Sequence, residues 1–379
     1  RILGVSSISF DVSVMEFVLA YSNGLTFVFA QEHEVAVPRN LVHLIQSEKV
    51  NMMVATPGRM ELLLSDKQGS ECLANFREIG IAGDVVTELK RVQQSTRARI
   101  MNQYGPTEIT ILCTTADITH AKVPTIGHPM PDVKAYILDA HQNPVPIGVP
   151  GELYIGGPGV ARGYINKPEL NSERFIDSPF ESGAKLYRTG DLARWYPLGE
   201  IEFLGRIDRQ VKIRGFRIEL GEIEDRLLGI QGITSCAVTA HTNDASGNRF
   251  LCAYLCGNPP KALDIKAQLS RNLPSYMIPS VFITLESLPF TNSGKVDRNK
   301  LPDPMTYLEA QKEDYQPPET ATEQLLAEIW SEELGLERIG RNDSFFDLGG
   351  DSLSILHVMT QIEQQFHVGF CHEDVYRSL

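Results

Sequence analysis

Four short stretches carry side chains able to do chemistry. Asn102-Gln103-Tyr104-Gly105-Pro106-Thr107-Glu108 gathers an aromatic ring, a hydroxyl and a carboxylate around one tight turn. Tyr104 offers a flat face to a base, Thr107 a hydroxyl to a phosphate, and Glu108 a hard oxygen to Mg²⁺, which suits nucleotide chemistry. Read bare, Tyr-Gly-Pro-Thr is equally a plain turn. Thr189-Gly190-Asp191 reads as a Gly turn whose carboxylate could accept from the two hydroxyls of a ribose, or as a structural turn. Lys295 ends Thr291-Asn292-Ser293-Gly294-Lys295 on a loop tip. This is no P-loop, because the earlier glycine is missing and Val296 stands where Ser or Thr would bind Mg²⁺. A lone loop lysine is ordinarily solvated; a mobile one could also meet a developing negative charge. Ser352 follows Gly349-Gly350-Asp351 at a helix start. It is no hydrolase elbow, since G-x-S-x-G is absent, and a capping role is the plain reading.

The elements around these stretches are of several kinds. Residues 1–120 alternate strand-like runs (Leu25–Ala30, Asn51–Ala55, Glu78–Ala82, Arg99–Gln103) with helical stretches (from Val12, Met60–Leu64, Thr87–Ser95), which predicts a layered α/β core. Residues 123–205 carry short runs broken by Gly and Pro, which predicts a β-rich subdomain of distorted-barrel type. In 205–224 the pattern changes from near-alternation to helical spacing, with a hairpin turning at Gly215 and a helix from Leu220. This reads as a joint between two lobes. Residues 209–303 form a smaller α+β lobe, and 304–318 have linker composition. From Thr320 a capping box opens a helix, and a second helix follows Asp351 with Ile355, Met359, Ile362 and Phe366 on one face.

The chain has 379 residues, 42% of them hydrophobic and 22% charged, with net charge −13. That length supports two or three cores. The acidic balance argues against a general nucleic-acid or membrane-surface binder, and no apolar run is long enough to span a bilayer. Six scattered cysteines without a C-x-x-C pair imply free thiols in a reducing cytoplasm, with no disulfide frame or zinc site.

Gly205-Arg206-Ile207-Asp208-Arg209-Gln210-Val211-Lys212-Ile213-Arg214-Gly215-Phe216-Arg217 and the stretches above resemble the adenylation domains of nonribosomal peptide synthetases, within the adenylate-forming superfamily. The stretch from Asp343 to Leu353 resembles a peptidyl carrier protein. The implied architecture is multidomain: an α/β adenylate-forming core with a β-rich subdomain, a small α+β C-terminal lobe, then an all-α carrier helical bundle. The implied boundaries are a core lobe at 1–207 lacking its N-terminal part, a C-terminal subdomain at 208–303, a linker at 304–318 and a carrier at 319–379 lacking its last helix. The resemblance implies ATP, Mg²⁺ and 4′-phosphopantetheine as cofactors. Asn102, Tyr104, Gly105, Thr107, Asp191 and Arg206 would hold ATP or AMP, Glu108 the metal, and Ser352 the phosphopantetheine. Lys295, with Glu108 and Thr107, would be catalytic. The small lobe would rotate about Asp208, with Lys212 and Gly215 in the loop that faces the thiol. Phe10-Asp11-Val12-Ser13 resembles the family's amino-acid pocket, with Asp11 on the substrate ammonium. The walls would be Val12, Met15, Val54, Gly80, Ala82, Gln103, Ile111 and Leu112. Gly80 and Ala82 would leave room for a medium or large side chain, Gln103 could bond a polar tip, and charged side chains are disfavoured.

The expected activity is ATP-dependent formation of an aminoacyl-AMP, then thioester loading on the carrier arm. A phosphopantetheinyl transferase and neighbouring condensation or thioesterase domains are the expected partners. The phosphate loop ending in Pro-Lys-Gly is not in the chain, so residues 1–379 alone are expected to be incomplete as an enzyme. Two other readings are an acyl-CoA or aryl-acid ligase of the same superfamily, and a non-catalytic carrier and docking fragment.

Overall fold

The computed structural model describes residues 1–379 apart from 65–66, 87–88, 214–215, 243–248, 292–294, 311–314, 337, 346–347, 349, 351–353 and 367–379. The chain divides into two compact units, Arg1–Phe216 and Arg217–Leu379.

The first unit is built on a seven-stranded sheet in the order β2-β1-β3-β4-β5-β6-β7. Strands β1 (Ile2–Gly4), β2 (Phe27–Phe29), β3 (Met52–Ala55), β4 (Glu78–Ala82) and β5 (Arg99–Tyr104) are parallel. Strands β6 (Thr114–Asp117) and β7 (His128–Pro129) pair antiparallel beyond β5. Parallel strands need crossover connections and are covered on both faces, so β4 is buried along Ile79–Ala82 without polar alternation. Helices Pro38–Ser47, Pro57–Leu64 and Leu89–Ser95 contribute Leu41, Met60 and Val92 to a core that holds Leu3, Met53, Ile79 and Ile100. Each such side chain contributes about 1.5–3 kcal/mol on burial. The helix expected over Met60–Leu64 begins earlier, at Pro57. Proline suits a first helical position, because its missing N–H would have no partner there. The helix Val12–Ser22 buries Val12, Glu16 and Ala20, spaced four apart on one stripe.

A second sheet follows. Strands β8 (Lys134–Leu138), β9 (Gly151–Gly156), β10 (Phe175–Asp177), β11 (Lys185–Trp195) and β12 (Ile201–Arg206) are all antiparallel. Strand β11 pairs with β9 along one edge, and with β10 and then β12 along the other. Among the described residues no ladder closes these strands into a barrel, so the distorted barrel expected from the Gly and Pro pattern is an open sheet. Thr189-Gly190-Asp191, expected as a turn, lies within β11 at a break in its pairing with β9. Gly190 takes φ +75°, which gives the strand its local kink without a turn. A two-stranded ribbon of β13 (Val211–Ile213) and β14 (Phe216–Ile218) follows, and the division between units falls in its second strand.

The second unit holds a three-stranded sheet of β15 (Ile233–Thr242), β16 (Arg249–Gly257) and β17 (Val281–Leu285), with β15 antiparallel and β17 parallel to β16. Helix Leu220–Leu228 buries Leu220, Ile223 and Leu227 as its spacing predicts. The interval 304–318, expected as linker, contains a helix, Pro304–Ala310, opened by a proline at its first position. Its Met305 packs on a cluster of Ile329 and Leu334 from one C-terminal helix, Ile355 and Val358 from the next, and Phe345 from the segment between. Thr320 and Glu323 form the predicted capping box for helix Ala321–Leu334, which stabilises its start by about 1 kcal/mol. A further helix spans Ser354–Phe366 and buries Ile355 and Met359.

Candidate functional site

The nucleotide-type stretch begins at the C-terminal end of β5, the edge where ligands gather in open α/β sheets. Tyr104 is the last strand residue, and Thr107–Ile109 make a single 3-10 turn. Gly105 is needed there. A Cβ on it would lie 2.3 Å from the Ile111 carbonyl oxygen and 2.7 Å from the Leu112 Cα. The chain doubles back so tightly that Thr110 and Ile111 both take positive φ, +63° and +74°. A β-branched residue in that region is strained by about 1–3 kcal/mol. Asn102 is turned to structural use, its amide donating to the Thr125 carbonyl at 2.6 Å. Thr107 is exposed.

Tyr104 is buried and its hydroxyl donates to Asp191 Oδ2. Burial, with the Asp191 charge beside it, raises the phenol well above its ordinary pKa, so it stays a donor. Asp191 Oδ1 also accepts from Arg206 Nη1 at 2.8 Å. Arg206 in turn grips Asp208 through Nε at 2.7 Å and Nη2 at 2.6 Å, and Arg174 reaches Asp208 at 3.2 Å. Burial opposes ionisation of Asp208, but the Arg206 guanidinium outweighs it and holds the carboxyl below its ordinary pKa. Gly190 lets these groups close on the strand, since a Cβ there would stand 2.6 Å from Asp208 Oδ2 and 2.9 Å from Arg206 Nη2. The Lys212 amine sits 5.9 Å from the Tyr104 ring centroid, in cation–π range.

Glu108 is buried, and its Oε1 accepts the Tyr164 hydroxyl at 2.5 Å. Burial, and then that bond, push the Tyr164 phenol well above its ordinary pKa. Among the described residues no group of three or more His, Cys, Asp or Glu side chains could hold a metal. A single hard carboxylate still fits Mg²⁺ that arrives on nucleotide phosphates, because such sites use one or two carboxylates and keep several waters.

The residues expected to wall an amino-acid pocket gather at the sheet's same end. Val12, Val54 and Ala82 are buried together, with Phe10, Met15 and Ile111 packed against them. Register sets Val54 beside Gly80, and Ala82 beside Gln103. Leu112 follows directly in the same doubled-back segment. Asp11 occupies the N-cap position of helix Val12–Ser22, yet its side chain makes no cap hydrogen bond. Gln103 Oε1 is buried without a hydrogen-bond partner. The space expected at Gly80 is taken by this amide: a Cβ on Gly80 would stand 2.9 Å from Gln103 Oε1 and 3.1 Å from Val54 Cγ2.

Lys295 belongs to the second unit and is exposed. Its loop is clipped at the base, where Thr291 N donates to the Lys295 carbonyl at 2.7 Å and Phe290 bridges Val296. Arg298 then pairs with Glu224 at 2.6 Å. Ser352 and Gly215 lie outside the described residues.

Two contributors escape sequence reasoning. Tyr164 lies 56 residues beyond Glu108 in the chain, and only the fold brings the two together. Glu16 is 1% exposed and takes hydrogen bonds from Ser6 Oγ at 2.8 Å and Ser6 N at 3.4 Å. Burial pushes its carboxyl up to about 7, against those bonds. A signal for it exists: an acid four residues after Val12 and four before Ala20 falls on the buried stripe.

Residues 1–165 match the AMP-binding enzyme family, 222–295 the AMP-binding enzyme C-terminal domain, and 324–378 the phosphopantetheine attachment site. The chain is 39% identical over 386 residues to gramicidin S synthase 2 of Aneurinibacillus migulanus, covering 99% of this chain and 9% of that one. It is 39% identical over 372 residues to bacitracin synthase 3 of Bacillus licheniformis, covering 97% of this chain and 6% of that one. The chain thus spans a small part of these relatives. Among solved structures it resembles a holo NRPS protein with adenylation and PCP domains bound to a vinylsulfonamide inhibitor. There the TM-score is 0.80 and the identity 28%, covering 97% of this chain and 62% of that one. It also resembles a four-domain nonribosomal peptide synthetase bound to AMP and glycine, with TM-score 0.52 and 34% identity over 97% of this chain and 28% of that one. The chain belongs to the AMP-binding enzymes, as an adenylation and peptidyl-carrier portion of the nonribosomal peptide synthetase family.

Proposed function

We propose that the protein containing this chain activates an amino acid with ATP and loads it onto its own carrier region. The observation that carries the reading is Asp11, a carboxylate at a helix start with no cap to make, set beside an apolar cluster. An α-ammonium group supplies the missing partner, and the apolar wall receives the side chain. A substrate carboxylate oxygen attacks the α-phosphorus of ATP, an acyl–phosphate bond forms, and pyrophosphate leaves. Tyr104 stacks on the base, and Asp191, held by Arg206, accepts from the ribose hydroxyls. Thr107 would donate to the α-phosphate, and Glu108, which accepts from Tyr164, would hold the metal that arrives with the nucleotide. Lys295 counters the charge that develops in this step. Ser352 would hold phosphopantetheine, whose thiol would accept the acyl group as a thioester with AMP as the leaving group. The domain scheme that accompanies this reading is a core at 1–207, a subdomain at 208–303 hinged at Asp208, a linker at 304–318 and a carrier at 319–379.

A phosphopantetheinyl transferase and neighbouring condensation or thioesterase domains follow as partners. A cytoplasmic setting is supported by Cys113, Cys236, Cys252 and Cys256, which form no disulfide. Among the described residues no helix is long and apolar enough to cross a membrane.

The test is pyrophosphate exchange into ATP by the full-length protein. Exchange should require an amino acid, and Asp11→Ala should raise the amino-acid KM about 10- to 100-fold with the ATP KM unchanged. Exchange driven by aryl or acyl acids lacking an amine would replace this reading with the ligase alternative.

A further inference from the structure

One buried acid takes no part in the proposed reaction. Glu16 is 1% exposed and lies on the stripe of helix Val12–Ser22 that Val12 and Ala20 fill with carbon. Packing alone would favour a third apolar residue there, because a carboxyl withdrawn from water is costly unless it is bonded. The bonds of Glu16 run backwards along the chain. Oε1 accepts the Ser6 hydroxyl at 2.8 Å and Oε2 accepts the Ser6 N–H at 3.4 Å, ten residues upstream. Burial still pushes the carboxyl up to about 7, so these bonds do not offset the loss of water. Between Ser6 and Glu16 the chain makes a tight entry into the helix. Phe10 N donates to the Ser7 carbonyl at 2.8 Å, and Ser13 N to the Phe10 carbonyl at 3.0 Å. Asp11 stands at the head of this turn, its backbone already helical at φ −61° and ψ −23°. An N-cap residue is ordinarily extended, which lets its side chain reach back to the first amides of the helix. In helical backbone Asp11 makes no such bond, so its carboxylate is aimed by the turn that carries it.

We infer that Glu16 is a positioning residue for the amino acid: by holding Ser6 it fixes the turn that presents Asp11 to the substrate ammonium, and it touches no part of the substrate itself. The inference rests on the amino-acid reading above. Glu16 and Ser6 close the segment into a ring, and Val12 and Met15 seat its helical side in the apolar cluster. A charge-assisted hydrogen bond is short and directional. A carboxylate on a slack turn would meet the ammonium at the wrong distance or angle, and small misplacements of binding groups are felt strongly. The residues proposed for ATP, Tyr104, Thr107 and Asp191, lie outside the ring, so loosening it should weaken the amino acid and spare the nucleotide. Glutamine at position 16 keeps an acceptor oxygen for Ser6, whereas leucine keeps only the bulk.

The experiment is pyrophosphate exchange by the full-length protein, with the amino-acid and ATP KM measured separately. Ser6→Ala deletes one bond of the ring without entering the core, and should raise the amino-acid KM about three- to tenfold with the ATP KM unmoved. Glu16→Leu should raise it by at least about tenfold, while Glu16→Gln should stay within about threefold of the parent. In an Asp11→Ala background, Ser6→Ala should add less than about twofold, because the group being positioned is gone. A full Ser6→Ala effect in that background overturns the inference, since the ring would then act by another route. An unchanged amino-acid KM in Ser6→Ala overturns it too, as does an equal rise in both KM values, the mark of a general loosening of the fold. Should Glu16→Leu fail to fold, Ser6→Ala and its combination with Asp11→Ala decide alone. In each of these cases amino-acid activation stands. Exchange with no amino acid at all removes the amino-acid reading and this inference together.

Discussion

The proposed nucleotide end and the proposed amino-acid end of the candidate site meet on β5, at Tyr104 and Gln103, but are finished differently. At the nucleotide end the polar groups already hold one another: Tyr104 to Asp191, Asp191 to Arg206, Arg206 to Asp208, Asp208 to Arg174. At the amino-acid end Asp11 caps nothing and Gln103 Oε1 bonds nothing. A ligand common to a whole family can be met by a rigid network that holds its shape when empty. A ligand that differs among relatives is met by few groups, each waiting for its own partner. Preorganisation belongs to the first end and selectivity to the second.

The comparison can be broken most severely at its most connected residue. Asp191→Ala removes the acceptor shared by Tyr104 and Arg206, whose side chains are largely buried. Breaking a buried pair of this kind costs about 3–5 kcal/mol. Urea unfolding of the full-length protein should show an earlier transition for the first unit, and the ATP KM should rise with it. An unchanged transition would mean that the network is decorative.

A smaller effect tests the helix that carries the amino-acid end. Glu16 has its folded pKa raised by burial to about 7, above the ordinary value of 4.5. Between those values the folded chain keeps a proton that the unfolded chain releases, so stability is full below about pH 4.5 and falls as pH rises through about 7. The loss is about 3 kcal/mol at most. Glu16→Gln should abolish this part of the pH dependence, making the variant relatively more stable at pH 8 than at pH 5. Parallel pH profiles for variant and parent would disprove it.

The smallest expected change sharpens the contrast. Tyr104→Phe deletes one hydroxyl from the network, and Arg206 still holds Asp191. Stability should fall by about 1 kcal/mol, with the ATP KM rising a few-fold and the amino-acid KM unmoved. An equal rise in both constants would show that the two ends are coupled through β5.

Much of this is legible in the sequence. Strand β4 follows its apolar run, and the helix from Leu220 follows its spacing. The Thr320 box caps its helix as the residue types require. Such features are local, and local chemistry is readable one residue at a time. What is not legible depends on distance in the chain. Thr189-Gly190-Asp191 has turn composition, but the pairing of β11 with β9 and β12 holds it as a kinked strand. Gly80 reads as open room, and only the neighbouring strand brings Gln103 in to fill it. Tyr164 meets a partner 56 residues away. The proline-rich interval after residue 303 reads as unstructured, yet Pro304 serves as a helix start.

The left-handed pair Thr110 and Ile111 has a consequence for how such an enzyme acquires a new diet. Ile111 packs against Val12, Val54 and Ala82 of the proposed amino-acid wall, while its carbonyl oxygen lies where any side chain on Gly105, in the proposed nucleotide loop, would stand. Exchange of Gln103–Leu112 as one cassette would keep both ends matched. Piecemeal drift at Ile111 would trade selectivity against the seating of ATP.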